Sequence, residues 1–133
     1  MEEKKAKILV VDDEPAIISI LQDFLSRKGY EVAGALSGEE ALSILRKETI
    51  DLLILDILMP GIKGTDVAKA VKTMYPHTKA IIITGYPKEG EELQKKKIIE
   101  NLFIKPFKLA DLCKDIEMIL KNRIRQEQTH DEL

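Results

Sequence analysis

The strongest structural signal in the sequence is Asp51-Leu-Leu-Ile-Leu-Asp-Ile-Leu-Met-Pro-Gly61. Its apolar run, Leu52 to Leu55, is typical of a parallel strand covered on both faces, and it is too short to span a membrane. The run ends in Asp56, whose burial in mid-strand would cost several kcal/mol, so we expect its carboxylate where the strand emerges. Pro60 and Gly61 then mark a turn. Because open α/β sheets bind ligands at the carboxyl ends of their strands, the stretch predicts a site at Asp56.

On both sides of this strand, short apolar runs alternate with amphipathic segments. We predict strands at Lys7–Val11, Tyr30–Ala35, Asp51–Asp56, Ala80–Thr84 and Leu102–Lys105. This alternation implies a parallel sheet with right-handed crossovers, hence a three-layer, doubly wound α/β fold with five strands and five helices. The common strand order for such a unit is 2-1-3-4-5.

Three of the five predicted helices carry a specific boundary or pattern. Ser37-Gly-Glu-Glu40 matches a capping box at the start of the second helix. Lys88–Lys97 is predicted to be helical, although its amphipathic pattern is the weakest in the chain. The closing helix is predicted from Leu109 to about Arg123, with a polar, frayed end from Gln126.

Length and composition favour one domain that does not bind nucleic acid. The 133 residues suit a domain at 1–123 followed by a polar tail at 124–133. A net charge of −2 and a pI near 5.8 argue against direct nucleic acid binding. The sequence shows neither a membrane span nor a secretory signal at its start. The single cysteine, Cys113, fits a reducing cytoplasm and reads as a small buried hydrophobe.

Polar side chains fall at the carboxyl ends of four predicted strands. Asp12 and Asp13 follow the first strand and Asp56 ends the third, and in the expected order these neighbours lie about 4.8 Å apart. Three gathered carboxylates require a positive partner, and an all-oxygen set favours a hard cation such as Mg²⁺. Thr84 and Lys105 reach the same edge, which suits phosphoryl chemistry. Taken singly, each of these residues is more simply a helix cap, a strand end or a solvated charge.

The combination of motifs resembles the receiver domain of two-component response regulators. The matching pieces are Val10-Val-Asp-Asp-Glu14, Leu55-Asp-Ile-Leu-Met-Pro-Gly61 with Gly64, Ile83-Thr-Gly85 and Lys105-Pro-Phe107, and the likeness covers residues 5 to 122.

The resemblance implies a role for each residue at this edge of the sheet. Asp56 would accept a phosphoryl group. Asp13 and Asp56 would bind Mg²⁺ directly together with the backbone carbonyl of Leu58, and Asp12 would act through a water. Thr84 would hydrogen-bond the aspartyl phosphate, Lys105 would pair with it, and the peptide bond after Lys105 would be cis.

The same resemblance implies a signalling switch rather than an enzyme, active only in its own phosphorylation and dephosphorylation. Its partners would be a sensor histidine kinase or phosphotransfer protein and a downstream output domain or effector. The protein would be a monomer or a phosphorylation-dependent dimer in the cytoplasm.

Departures from the family concern signal output. Relatives usually carry an aromatic residue at the place of Leu102, whereas Phe103 follows one position later and should face the opposite side of the sheet. Glu100-Asn101 replaces the usual Gly-Ala pair. We therefore expect the signal to pass through Thr84, the loop from Gly85 to Glu89 and the fourth helix.

Two other functions are compatible with parts of this pattern. A Mg²⁺-dependent phosphohydrolase would use the same carboxylates, but it needs a substrate pocket for which the chain leaves little room. An interaction domain that is not phosphorylated would not need the complete set of site residues. Turnover of small phosphate esters would favour the hydrolase.

Overall fold

The structure of the protein is a computed structural model that describes residues 5–131, with side chains described up to residue 122. Residues 1–4, where the domain is predicted to begin, lie outside the described residues. Residues 132–133, where the predicted polar tail ends, lie outside them too. Five strands alternate with five helices: β1 (Lys7–Val11), α1 (Pro15–Arg27), β2 (Glu31–Ala35), α2 (Gly38–Lys47), β3 (Leu52–Asp56), α3 (Gly64–Met74), β4 (Lys79–Thr84), α4 (Pro87–Lys95), β5 (Asn101–Ile104) and α5 (Leu109–Asp131).

All five strands lie parallel in one sheet with the order β2-β1-β3-β4-β5. This confirms the predicted three-layer fold, and the bounds of β1 agree with the prediction residue for residue. In the register of the central strands, Val11 lies beside Leu55 and Asp56 lies beside Ile83. The polar residues that follow these positions therefore reach the same edge of the sheet.

The sheet separates two apolar cores. Alternate residues of β3 face opposite cores, because side chains alternate along a strand: Leu53 and Leu55 pack with α2, α3 and α4, while Leu52 and Ile54 pack with α1 and α5. All four side chains are buried, and full burial of such a side chain contributes about 1.5–3 kcal/mol. Burial on both faces explains why β3 reads as an unbroken apolar run.

The capping box at the start of α2 forms with one difference from its usual pattern. The Ser37 hydroxyl accepts a hydrogen bond from the Glu40 N–H at 3.1 Å. The Glu40 carboxylate returns a contact by accepting from the N–H of Leu36 at 3.0 Å, one residue before the cap. Two N–H groups at this helix start are thereby satisfied.

The fourth helix forms at Pro87–Lys95 and ends two residues before the predicted Lys97, and the expectation that it has the weakest amphipathic pattern is wrong. Gly90 and Leu93 are buried on its inner side. A Cβ atom built on Gly90 would lie 2.6 Å from Cδ1 of Leu102. The pattern was hidden because a glycine, rather than an apolar side chain, makes this close contact.

The closing helix extends beyond its predicted end near Arg123. Helical backbone continues through α5 to Asp131, so the predicted end near Arg123 is wrong, while the frayed end from Gln126 stays a prediction. The segment after Phe107 contains neither proline nor glycine, and its Gln, Glu and Arg residues are good helix formers. In the described part of the chain, no helix is long and apolar enough to cross a membrane.

Candidate functional site

Three carboxylates meet at the carboxyl edge of the sheet. Asp12 and Asp13 follow β1, and Asp56 ends β3. One carboxylate oxygen from each lies within 4.8 Å of the others. Asp12 is 3% exposed and Asp56 is 7% exposed, whereas Asp13 is exposed. The structure thus brings together the three acidic residues that the sequence assigned to a metal site.

The two buried carboxylates also hold the turns that follow them. Oδ1 of Asp12 accepts a hydrogen bond from the N–H of Glu14 at 2.9 Å. Oδ1 of Asp56 accepts one from the N–H of Leu58 at 3.0 Å. Each contact fixes the chain at the exit of a strand, so the backbone of Leu58 begins its loop beside Asp56.

Lys105 supplies the positive charge that the cluster requires. Its Nζ donates to Oδ2 of Asp56 at 3.0 Å and lies 3.5 Å from Oδ2 of Asp12. Burial alone would lower the pKa of the Lys105 ammonium, but the hydrogen bond and charge of Asp56, and then those of Asp12, outweigh it and raise the pKa. Lys105 therefore carries its proton at neutral pH.

The protonation of Asp12 reflects competing effects. Burial raises the pKa of its carboxyl, and the nearby charge of Asp56 raises it further. The hydrogen bond from Glu14 and the charge of Lys105 oppose this, without cancelling it. A second cation would relieve the same repulsion. Since the donors are all carboxylate oxygens, the cluster fits a hard divalent cation and is a candidate metal site.

The remaining predicted site residues lie at the same edge of the sheet. Thr84 ends β4 and is fully buried. Its hydroxyl accepts a hydrogen bond from the N–H of Tyr86 at 3.0 Å and donates to the carbonyl of Tyr86 at 3.3 Å. The Lys105–Pro106 bond is cis, as the resemblance implied.

The departures at β5 have defined structural roles. Leu102 packs with the core on the α4 side and Phe103 with the core on the α5 side, which confirms that they face opposite ways. Oδ1 of Asn101 accepts from the N–H of Leu102 at 2.8 Å and from Nε2 of Gln94 at 3.2 Å. Asn101 thereby connects the end of α4 to the edge strand.

The loop between β3 and α3 contacts the first turn of α2, which the sequence did not predict. The carboxylate of Glu39 accepts from the N–H of Ile62 at 3.0 Å. Its own backbone N–H and then that of Ile62 lower the pKa of the Glu39 carboxyl. The sequence signal was limited to a glutamate at the second position of a capped helix, which is ordinarily explained by the helix dipole.

Three comparisons with known proteins agree on one family. The profile of the response regulator receiver domain matches residues 8–117. The chain is 35% identical to sporulation initiation phosphotransferase F of Bacillus subtilis over 108 residues, which cover 80% of this chain and 86% of that protein. Among solved structures, response regulator protein TrrA of Thermotoga maritima in complex with Mg²⁺–BeF has a TM-score of 0.77 and 35% identity, covering 86% of this chain and 98% of that one.

Some relatives are longer than this chain. The alkaline phosphatase synthesis transcriptional regulatory protein PhoP of Bacillus subtilis is 34% identical over 86% of this chain, but the match covers 48% of the regulator. The chain thus spans about half of the length of that relative. The matched family profile, the parallel sheet and the acidic cluster all agree, and the chain belongs to the family of response regulator receiver domains of two-component systems.

Proposed function

We propose that this receiver domain accepts a phosphoryl group on Asp56 in a reaction that requires Mg²⁺. A carboxylate oxygen of Asp56 forms the new O–P bond while the N–P bond of a donor phosphohistidine breaks, and the imidazole keeps the electron pair of that bond. The product is an aspartyl phosphate, which is the signal itself. Covalent attachment to a carboxylate divides one difficult transfer into two easier ones.

The proposed metal ligands are those that the family resemblance implies, and the position of the carboxylates supports them. Asp13 and Asp56 would hold Mg²⁺ directly together with the backbone carbonyl of Leu58, and Asp12 would act through a bound water. When bound, the ion would neutralise charge on the transferring phosphoryl oxygens. Oδ1 of Asp12 is engaged by the N–H of Glu14 and Oδ1 of Asp56 by that of Leu58, so the assignment of the indirect role to Asp12 rests on the resemblance. The exposed Asp13 suits the direct one.

Lys105 and Thr84 would recognise the phosphorylated state. The Lys105 ammonium, 3.0 Å from Oδ2 of Asp56, would pair with a phosphoryl oxygen in place of the free carboxylate. The Thr84 hydroxyl would turn from Tyr86 to a second phosphoryl oxygen. Charge-assisted contacts of this kind are stronger than neutral ones and can draw a loop into a second arrangement.

Receiver domains interact with histidine kinases and output domains, and the specific partners of this chain are part of the proposal. A sensor histidine kinase or a phosphotransfer protein would be the donor. A downstream output domain or effector protein would read the switch, in the cytoplasm, with the receiver as a monomer or a phosphorylation-dependent dimer. The domain would catalyse only its own phosphorylation and dephosphorylation.

The observation that carries the proposal is the meeting of three carboxylates within 4.8 Å, two of which, Asp12 and Asp56, share Lys105. The test is labelling with acetyl phosphate, with and without Mg²⁺, followed by mass spectrometry of the intact protein. We expect one phosphoryl group per chain, dependent on Mg²⁺ and absent in Asp56→Asn. The control variant Asp66→Asn removes an exposed carboxylate of α3 and should label normally. Unchanged labelling of Asp56→Asn would refute the assignment, and sustained turnover of small phosphate esters would favour the hydrolase.

A further inference from the structure

The β3–α3 loop is hydrogen-bonded to the first turn of α2 and passes close to its first residue. The Glu39 carboxylate accepts a hydrogen bond from the N–H of Ile62 at 3.0 Å, between residues 23 positions apart. A Cβ atom on Gly38 would lie 3.4 Å from both Cβ and the carbonyl oxygen of Ile62. We call the group formed by Gly38, Glu39, Gly61 and Ile62 the clasp.

Gly61 lets the loop approach the glutamate closely. Its φ of +84° lies in the left-handed region that glycine tolerates best. A Cβ atom at this position would lie 2.7 Å from Oε1 of Glu39, closer than two nonbonded heavy atoms allow. Glycine at this position therefore leaves room for the Glu39 carboxylate, and a side chain there would displace it.

The clasp holds the part of the loop that the ends of the loop do not fix. At the entrance, the N–H of Leu58 is bound to Oδ1 of Asp56 at 3.0 Å. At the exit, the N–H of Gly64 donates to the carbonyl of Ile57 at 3.2 Å. Between these two points, Glu39 supplies a side-chain acceptor from a different element of the fold. Leu58, whose backbone is needed at the metal site, stands at the entrance of this span, where, among the described residues, only its N–H is bound, and is 50% exposed.

We propose that Glu39 is a positioning residue for the metal site, because its contact with Ile62 holds the loop in the conformation that presents the Leu58 carbonyl to Mg²⁺. The Mg²⁺ ion in this inference rests on the proposed function, whereas the contact between Glu39 and Ile62 is observed in the structure. Groups that orient metal ligands without touching the metal commonly change metal affinity by about tenfold or more. Glu39 binds Ile62, which lies four positions after Leu58 in the loop, so a smaller effect is expected.

The test compares Glu39→Ala, Glu39→Gln and Glu40→Ala. Glutamine keeps a carbonyl oxygen that can accept from Ile62, but it has no charge. Glu40 lies in the same helical turn with the same charge, and its carboxylate binds the N–H of Leu36 instead of the loop. A loss caused by charge or by weakening of α2 would therefore appear in Glu40→Ala as well.

Two measurements test the contact between Glu39 and Ile62 separately from its effect on metal binding. The first is amide hydrogen exchange of Ile62 without metal, which should become faster in Glu39→Ala and stay close to wild type in the other two variants. The second is Mg²⁺ affinity from amide chemical shifts, which should fall by about threefold or more in Glu39→Ala. Glu39→Gln should recover most of this loss.

Other outcomes would contradict the contact, the positioning role or the metal site separately. If amide exchange of Ile62 is unchanged in Glu39→Ala, the Glu39 carboxylate does not hold Ile62. Faster exchange with unchanged Mg²⁺ affinity, or equal losses of affinity in Glu39→Ala and Glu40→Ala, would refute the positioning role. Failure of the wild-type protein to bind Mg²⁺ would instead refute the proposed function, and with it the metal half of this inference.

Discussion

The Nζ of Lys105 lies 3.0 Å from Oδ2 of Asp56, although the two residues are 49 positions apart in the sequence. The same ammonium is 3.5 Å from Oδ2 of Asp12, so one cation serves two buried carboxylates. The charge of Lys105 offsets only part of the negative charge of the cluster. The remaining repulsion between the carboxylates favours the binding of a second cation.

Replacing Lys105 should therefore destabilise the metal-free protein. We expect Lys105→Met to lower the free energy of unfolding at pH 7 by about 1–2 kcal/mol, below the usual figure for a fully buried pair because Lys105 is partly exposed. Added Mg²⁺ should restore more stability to the variant than it adds to wild type, since the ion replaces the missing charge. Urea denaturation with and without MgCl₂ measures both effects. Lys108→Met, at an exposed position of the same loop, is the control and should change neither.

Asp13 should matter more than Asp12 for metal affinity. Asp13 is exposed and free to orient its oxygens toward an ion, whereas Asp12 is buried and bound to the N–H of Glu14. Loss of a direct ligand removes part of the coordination geometry that Mg²⁺ demands. Titration with Mg²⁺ should show a larger loss of affinity in Asp13→Ala than in Asp12→Ala. Equal losses in two folded variants would mean that the direct and indirect roles are wrongly assigned.

Local patterns predicted the scaffold and the polar edge well, because both depend on periodicity and on strand order. Lys7–Val11 shows the agreement most clearly, and Asp12, Asp13 and Asp56 meet as strand adjacency requires. The contact between Glu39 and Ile62 could not be predicted, because it depends on the path of a loop that returns to a distant helix. The reach of α5 to Asp131 was missed for another reason. Its last turns lack an apolar stripe, and helix propensity alone is a weak guide.

The contact between Gly90 and Leu102 should be detectable as an energetic coupling. Alanine favours a helix over glycine by about 0.5–1 kcal/mol, but a Cβ on Gly90 would lie 2.6 Å from Cδ1 of Leu102. We expect Gly90→Ala to raise the free energy of unfolding of the Leu102→Ala variant. When Leu102 is present, the same substitution should raise it less or should lower it. A double-mutant cycle from urea unfolding measures the difference. Additive effects would show that α4 adjusts without displacing Leu102.

The thiol of Cys113 should ionise at a higher pH in the native protein than in the unfolded chain, because its pKa is raised. Burial raises its pKa, and the charge of Glu117 raises it further, while Lys28 opposes both. As pH rises, the unfolded chain loses the thiol proton first, so stability from the neutral thiol is present below the ordinary thiol pKa and is lost above it. Iodoacetamide alkylation should be slow in the native protein at pH 8 and should require a higher pH than in urea. Glu117→Gln should shift the native profile to lower pH, and an unchanged profile would exclude Glu117 as a cause.

Phosphorylation should act mainly on residues 84–97. The Thr84 hydroxyl holds the N–H of Tyr86 at 3.0 Å, and Tyr86 is itself 69% exposed at the start of α4. Beryllium fluoride with Mg²⁺, which imitates an acyl phosphate on Asp56, should draw this hydroxyl away. Tyr86 then loses its acceptor, so the protection of its amide against hydrogen exchange should fall.

Over residues 87–97 the protection should rise instead. This segment has few apolar contacts besides those of Gly90 and Leu93, and it therefore opens locally at low cost. The movement of Thr84 toward the mimic should draw the loop from Gly85 to Glu89 into a second arrangement, and we expect that arrangement to reduce such openings. The amide of Leu102, bound to Oδ1 of Asn101 at 2.8 Å, should change little. In the control variant Thr84→Ala, the Tyr86 amide should exchange quickly before the mimic is added and should not respond to it. Changes confined to β5 and α5 would show that this receiver transmits its signal through its edge strand, and not through Thr84 and α4.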